Sequence, residues 1–283
     1  MTIQTAFTYL TGAISDIYDE REAANIAHIV LEHLTGMSKL DRIIHKAQLL
    51  STEQHAGLKA AITALQRHEP VQYITGSSWF YGMELLVTPD VLIPRPETEE
   101  LVEWIVQDAA TQPSAHILDI GTGSGCIPLA LKKSLPAATV WGIDVSEGAL
   151  QVARNNGVRQ KLDVTFKHTD VLDALQVADL PNFNIIVSNP PYITQSEKKS
   201  MQQQVWGFEP SLALFVPDND ALLFYRHISL LAQNKLKPGG LLYFEINEAL
   251  GKEVVALMES HGFTEVELKQ DMFGKDRMVR GQL

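Results

Sequence analysis

The chain has 283 residues, 45% of them hydrophobic and 20% charged, which is enough apolar material for one large domain or two smaller ones. Its formal net charge of −11 disfavours a polyanionic partner unless basic residues gather on one face, and its single cysteine, Cys126, excludes an internal disulfide framework. No stretch approaches the roughly 18 uninterrupted apolar residues of a membrane span, and the opening MTIQTAFTYLTGAISDIYDE lacks the basic start and apolar centre of a secretory signal, so a reducing cytoplasm is the expected location.

Residues 1–70 carry helical spacing. Ala23, Ala27, Val30, Leu31 and Leu34 form one apolar stripe, and Gly36 is placed to stop it. Ser51 and Gln54 make a candidate capping box ahead of Leu58, Ala61, Ile62 and Leu65, with Pro70 closing the segment. A small helical bundle is expected. Over residues 71–96 β-branched and aromatic residues mix with glycines, which predicts a β-hairpin linking two domains, its exit stiffened by Pro94 and Pro96. Trp79, Phe80 and Tyr81 are expected to pack that hairpin against the domain that follows. Thr98 is a candidate cap for a helix with Leu101, Trp104 and Ile105 on its apolar side.

From 97 to 283 strands and helices alternate. Candidate strands are Ile117–Ile120, Val140–Ile143, Val164–Phe166, Phe183–Ser188 and Leu241–Ile246. This alternation implies an α/β fold with a mainly parallel sheet and helices on both faces. Two more candidates, Val266–Leu268 and Met278–Val279, are separated only by a connection too short for a parallel crossover, so they should pair antiparallel at the sheet edge.

HILDIGTGSGCIPLALKK runs from a strand through Gly121, Gly123 and Gly125 into a helix. Glycine allows the tight turn and lets backbone approach a ligand where a Cβ would clash. Such a turn suits dinucleotides and other adenosine cofactors alike. Asp144 ends the next strand, 23 residues after Gly121, where a carboxylate can accept ribose hydroxyl protons. Asp119, just before the turn, is poorly matched to a pyrophosphate but well matched to an amino-acid ammonium. That charge argument favours S-adenosylmethionine over NAD. Asp170 and Val171, after the third strand, are placed to meet the adenine, although a strand-ending Asp is also ordinary turn chemistry.

The fourth of these strands delivers Asn189-Pro190-Pro191-Tyr192. Ligands in an open α/β sheet sit beyond the carboxyl ends of the strands, so this elbow should face the cofactor. The Asn189 side-chain carbonyl and the Pro190 main-chain carbonyl offer two acceptors on a stiff frame, and Tyr192 adds a flat ring. The set suits a planar NH₂ held in line with a transferable methyl group.

In these motifs the chain closely resembles the HemK/PrmC family, protein-(glutamine-N5) methyltransferases of class 1 peptide chain release factors. The resemblance rests on EPVQYITGSSWFYG, LIPRPETEELV, ILDIGTGSG, IVSNPPYI, FEPSLAL and DMFGKDRMV, and it covers nearly the whole chain. NPPY is shared with amino-methyltransferases of nucleic-acid bases; IPRPETE is more selective for the glutamine enzymes.

The resemblance implies a Rossmann-like class I methyltransferase domain of seven strands over 97–283, after a five-helix bundle (1–70) that docks the release factor and a hairpin linker (71–96). It implies S-adenosylmethionine as cofactor, with S-adenosylhomocysteine as product. Gly121, Thr122, Gly123, Ser124 and Gly125, with Asp144, Val171 and Asn189, would be cofactor contacts. Asn189, Pro190, Pro191 and Tyr192 would cradle the glutamine of the Gly-Gly-Gln loop, with Asn189, Pro190 and Tyr192 closest to the chemistry. Where relatives can carry an aromatic residue after the third-strand Asp, this chain has Val171. A monomer without direct nucleic-acid contact is expected.

Other residues read more plainly. The closest basic clusters are the pairs Lys132-Lys133 and Lys198-Lys199. Cys126 reads as a small core residue, and the histidines show no metal-ligand spacing. Arg95 and Glu97 could order the linker or line the cofactor pocket. Glu209, in FEPSLAL, could position the loop after NPPY or be an exposed turn carboxylate, and Glu245 could be structural. Three other readings stay open: a glutamine methyltransferase of a ribosomal protein, an amino-methyltransferase of adenine or guanine, and a non-catalytic cofactor-binding protein.

Overall fold

The computed structural model describes residues 1–200 and 203–283; the side chain of Lys199, in one of the two basic pairs, falls outside them. Two compact units form, one over residues 1–77 together with a later short helix, the other over most of the chain from Ser78 onward.

The first unit holds α1 (Ile3–Ile14), α2 (Glu20–Thr35), α3 (Lys39–Ile44), α4 (Thr52–Leu65) and α5 (Val71–Thr75). The expected stripe of α2 packs inward, Leu34 only partly, and Gly36 ends the helix at φ +65°, a conformation other residues adopt at a cost. The Ser51–Gln54 capping box is present in both directions, at 3.2 and 2.9 Å. Leu10, Ile14, Leu31, Leu58 and Leu65 are fully buried in this unit's own core.

The chain from Val71 departs from expectation. Val71–Thr75 is helical, because Pro70 enters it with a fixed φ and Gly76, at φ +68°, stops it after one turn. The hairpin is confined to β1 (Ser77–Phe80) and β2 (Met83–Leu86). Phe80 is buried and Tyr81 packs against the second unit's core, but Trp79 is 71% exposed and does not join that packing.

Next come α6 (Pro96–Asp108), β3 (His116–Ile120), α7 (Cys126–Ser134), β4 (Thr139–Asp144), α8 (Glu147–Gln160), β5 (Thr165–His168) and α9 (Ala174–Ala178). Thr98 does not cap α6. Pro96 starts that helix, where its missing N–H costs nothing, and places Thr98 inside the first turn. After β6 (Phe183–Ser188) and β7 (Ile193–Thr194), α10 (Gln203–Phe208) groups with the first unit. The second unit resumes with α11 (Ser211–Leu214), β8 (Phe215–Val216), α12 (Leu223–Lys235), β9 (Leu236–Glu245), α13 (Gly251–Ser260), β10 (Thr264–Gln270) and β11 (Asp276–Gln282).

Seven strands form one sheet in the order β10-β11-β9-β6-β3-β4-β5, with every pair from β9 to β5 parallel. The expected antiparallel pair closes one edge. Within it β11 is the strand that runs against its neighbours, pairing antiparallel with both β9 and β10.

Alternate residues divide the core between two faces. Ile117, Val140, Ile185, Val187, Tyr243 and Met278 pack with α6 and α7. Leu118, Ile143, Ile186, Leu242, Phe244 and Val279 pack with α12 and α13. This doubly covered sheet brings the carboxyl ends of β3, β4, β5 and β6 to one rim.

Candidate functional site

At that rim β3 turns into α7 through three glycines in the left-handed region: Gly121 at φ +74°, Gly123 at +52° and Gly125 at +79°. The N–H groups of Gly121 and Thr122 both donate to the Ile143 carbonyl, at 2.9 and 3.0 Å, fixing the turn against the end of β4. A Cβ placed on Gly121 or Gly123 would meet open space, whereas one on Gly125 would lie 3.1 Å from the Ala153 Cβ. The first two glycines therefore keep backbone bare toward a cavity, and the third permits close packing on α8. Below the turn, a Cβ on Gly142 would come within 2.7 Å of the Thr122 hydroxyl, so β4 needs a glycine there as well.

The cavity is lined by this turn together with Asp144, Asp170, Val171, Asn189, Pro190 and Pro191. Asp144 ends β4; its Oδ2 accepts the Gly123 N–H and its Oδ1 the Ser146 N–H, both at 2.9 Å. Burial raises its pKa even so, and each oxygen keeps a lone pair for a ligand hydroxyl. Asp170 accepts the Leu172 N–H at 2.9 Å in a short turn, and Val171 packs against the α12 side of the core.

At the end of β6, the Ser188 hydroxyl donates to the Ile120 carbonyl at 2.7 Å and ties the two strand ends together. Asn189 and Pro190 engage no hydrogen-bond donor among the described residues. Pro190 is buried; Asn189 and Pro191 are half-buried.

Two expected contacts do not reach the lining. Asp119 is fully buried and absent from it; burial pushes its carboxyl up to about 7 against the opposing effect of the nearby Thr122 hydroxyl. Tyr192 is also absent. Its ring packs into the α12-side core, where it removes apolar surface from water, and burial raises its phenol pKa. The aromatic ring that does line the cavity is Phe224 of α12.

Several lining residues gave little signal in the sequence. Arg95 donates to Glu209 Oε1 at 2.6 Å, and Glu209 Oε2 accepts the Ile93 N–H at 3.4 Å. Glu209 is 5% exposed, so it is not the exposed turn carboxylate that was one alternative; burial raises its pKa against the pull of Arg95. The pair joins two stretches of cavity wall, 91–95 and 210–213. FEPSLAL held the clue, since a Glu before Pro in an apolar run is poorly placed unless paired.

Thr98 also lines the cavity, and its hydroxyl donates to Glu245 Oε2 at 2.6 Å. Glu245 is 2% exposed, and burial pushes it up to about 7. Cys126 both packs on the core and touches the cavity, with burial pushing its thiol up to about 12, so it is held protonated. Glu97 is half-buried and is not part of the lining.

The donor set itself selects a ligand. Among the lining residues are three carboxylates, Asp90, Asp144 and Asp170, against one guanidinium, Arg95, already paired with Glu209. A phosphate would be repelled, whereas a cationic, phosphate-free adenosine compound is favoured. Thr122 and Ser124 line the same cavity, but their hydroxyls are turned inward and buried, that of Thr122 beneath the turn beside Gly142. S-adenosylmethionine fits these residues. No group of three or more His, Cys, Asp or Glu side chains among the described residues is arranged to hold a metal ion.

The basic pair Lys132-Lys133 is spent elsewhere. Lys132 donates to the Pro136 and Ala138 carbonyls at 3.0 and 2.7 Å, and Lys133 to the Gly82 carbonyl at 3.1 Å.

Known proteins resemble the chain along its whole length. A model of the PrmC N-terminal domain matches residues 5–76, and one of the methyltransferase small domain matches residues 98–206. A protein of Flavobacterium psychrophilum described as a release factor glutamine methyltransferase is 44% identical over 284 residues, covering 99% of each chain. Another of the same description, from Bacteroides thetaiotaomicron, is 44% identical over 272 residues, 96% of each. Among solved structures, a methyltransferase from Pyrococcus furiosus matches with a TM-score of 0.53 at 17% identity, covering 82% of this chain and 98% of that one, a likeness of fold.

Proposed function

The chain belongs to the release factor glutamine methyltransferase family, and on that premise we propose that it methylates the side-chain amide nitrogen of the glutamine in the Gly-Gly-Gln loop of class 1 release factors. The observation that carries this reading is the pair of unengaged acceptors, the Asn189 side chain and the Pro190 carbonyl, beside a cavity suited to a cationic adenosine compound. S-adenosylmethionine, when bound, supplies an electrophilic methyl group.

The glycine turn and Asp144 would hold this donor, with Asp170 and Val171 at the adenine end. Asn189 and Pro190 would each accept one hydrogen of the glutamine NH₂. An amide nitrogen is a poor nucleophile, because its lone pair is delocalised into the carbonyl. As the nitrogen becomes positive its N–H groups become stronger donors, so these two acceptors bind the transition state better than the ground state. The stiff Pro190-Pro191 frame fixes the direction of approach, and such alignment can be worth about 7–11 kcal/mol. A strong base is not demanded, because the nitrogen acidifies as it takes the methyl group; the acceptors hold the departing proton until it reaches solvent.

The helical unit docks the release factor in this reading. Leu40, Ile43 and Ile44 on α3 are 66%, 58% and 65% exposed, and Leu49 is 67% exposed, an apolar set suited to a protein partner. The net charge of −11 supports a protein substrate over a nucleic acid. The enzyme acts as a monomer in the cytoplasm.

The test is methyl transfer from labelled S-adenosylmethionine to purified release factor. Labelling is expected for the wild-type factor and not after Gln→Ala in its Gly-Gly-Gln loop; equal labelling of both would defeat the proposal. Labelling of ribosomal protein or nucleic acid, with the release factor left unmodified, would favour the rival substrates.

A further inference from the structure

Asn156 sits on α8, three residues after Ala153, so both face the glycine turn. Its side chain is fully buried, and every hydrogen-bonding group on it is used. The amide nitrogen donates to the carbonyls of Ser124 and Leu86, both at 2.9 Å, and the amide oxygen accepts the Leu86 N–H at 2.7 Å. Ser124 belongs to the glycine turn and Leu86 is the last residue of β2. One carboxamide thus clamps the donor-binding turn to the end of the hairpin.

The turn is held from two directions. Asp144 takes the N–H of Gly123, and Asn156 serves the carbonyl of the neighbouring Ser124, itself a lining residue of the cavity. Asp144 is open to a ligand; Asn156 is not among the lining residues and acts only through the backbone it holds. An apolar side chain of similar volume would fill the site but leave the Ser124 carbonyl and the Leu86 N–H and carbonyl without this partner, so the carboxamide does more than pack. Nothing local in ARNNGVRQ marks this residue, which reads as one more polar position on a surface helix.

We propose that Asn156 is a positioning residue for the methyl-donor site, setting the glycine turn at the depth that S-adenosylmethionine requires. The proposal rests on the reading of the cavity given above. Loss of the clamp misplaces the turn while leaving Asn189 and Pro190 in position, so donor affinity falls and the transfer step at saturation does not.

The experiment compares the parent with Asn156→Ala, Asn156→Asp and Asn156→Gln, well below their melting temperatures. S-adenosylhomocysteine binding is measured by calorimetry, and methyl transfer to release factor over a range of donor concentrations. Asn156→Ala is expected to raise the donor KM and the product Kd about ten-fold or more, roughly the loss of one buried hydrogen bond, with kcat within about three-fold. Asn156→Asp keeps the acceptor for Leu86 but loses both donors, so it should behave like Asn156→Ala. Asn156→Gln keeps the donors on a longer stem and should show the same split in milder form. It also keeps the question decidable if the other two fail to fold. A folded variant that melts earlier yet binds the product with parental affinity would overturn the proposal. Failure of the parent itself to bind S-adenosylhomocysteine would instead overturn the reading of the cavity.

Discussion

In the proposed reaction Asn189 is the residue on which the chemistry turns, since it offers a side-chain acceptor just beyond β6 within the cavity lining. Asn189→Ala should lower kcat by about 10²–10³, the usual effect of removing one preorganised transition-state hydrogen bond, while S-adenosylhomocysteine affinity shifts only a few-fold. Single-turnover rates and calorimetry check the two halves; equal losses in both would make Asn189 chiefly a donor ligand. Glu245 makes a pH prediction. Its carboxyl is pushed from 4.5 to about 7 by burial, so the folded state holds a proton that the unfolded state has lost across that window. Its contribution to stability is present below about pH 4.5 and lost as pH rises through about 7. Glu245→Gln can still accept from Thr98 and never ionises. Its melting temperature should therefore gain on the parent's between pH 5 and pH 8, and a difference that is flat with pH would refute the assignment.

Among the elements, the Arg95–Glu209 pair joins the chain before α6 to the chain before α11. Removing the guanidinium strands a buried carboxylate, that of Glu209. Arg95→Ala should cost roughly 1–3 kcal/mol, less than a fully buried pair because Arg95 itself is 34% exposed. The double variant Arg95→Ala/Glu209→Gln should recover part of that loss, which denaturant titration would show. The short helix α3 yields a prediction of a different kind. Leu40→Glu with Ile44→Glu changes side chains that are already exposed, so the fold should keep its stability within about 0.5 kcal/mol. If this face receives the release factor, the KM for that protein rises and the KM for S-adenosylmethionine does not.

For the whole molecule, two units with separate apolar cores imply that ligand linkage is local. The buried residues around α1, α2 and α4 form one cluster, and those around the seven-stranded sheet form two others. S-adenosylhomocysteine at 100 times its Kd should add about 2.7 kcal/mol to the unit that binds it. Hydrogen exchange should slow in β3, α7 and β4 and stay unchanged in α1, α2 and α4. Uniform slowing would show that the two cores open together.

Much of this was legible in the residues. Alternation of apolar strands with helical patterns determined the α/β class, because period 2 and period 3.6 are local properties of the chain. The Ser51–Gln54 box, the Gly36 stop, the glycine turn and the span of β6 followed for the same reason: caps, turns and strand ends answer to residues within a few positions. The family motifs carried the chemistry further. Only the tertiary structure decided which side chains meet. It took Tyr192 out of the cavity lining and put Phe224 into it, buried Glu209 against Arg95, and moved Thr98 from a cap to a partner of Glu245. It also clamped Ser124 through Asn156, 32 residues away along the chain. Such contacts depend on how helices and strands distant in sequence close over one another, and burial, which sets both their strength and their pKa, exists only once that closure has occurred.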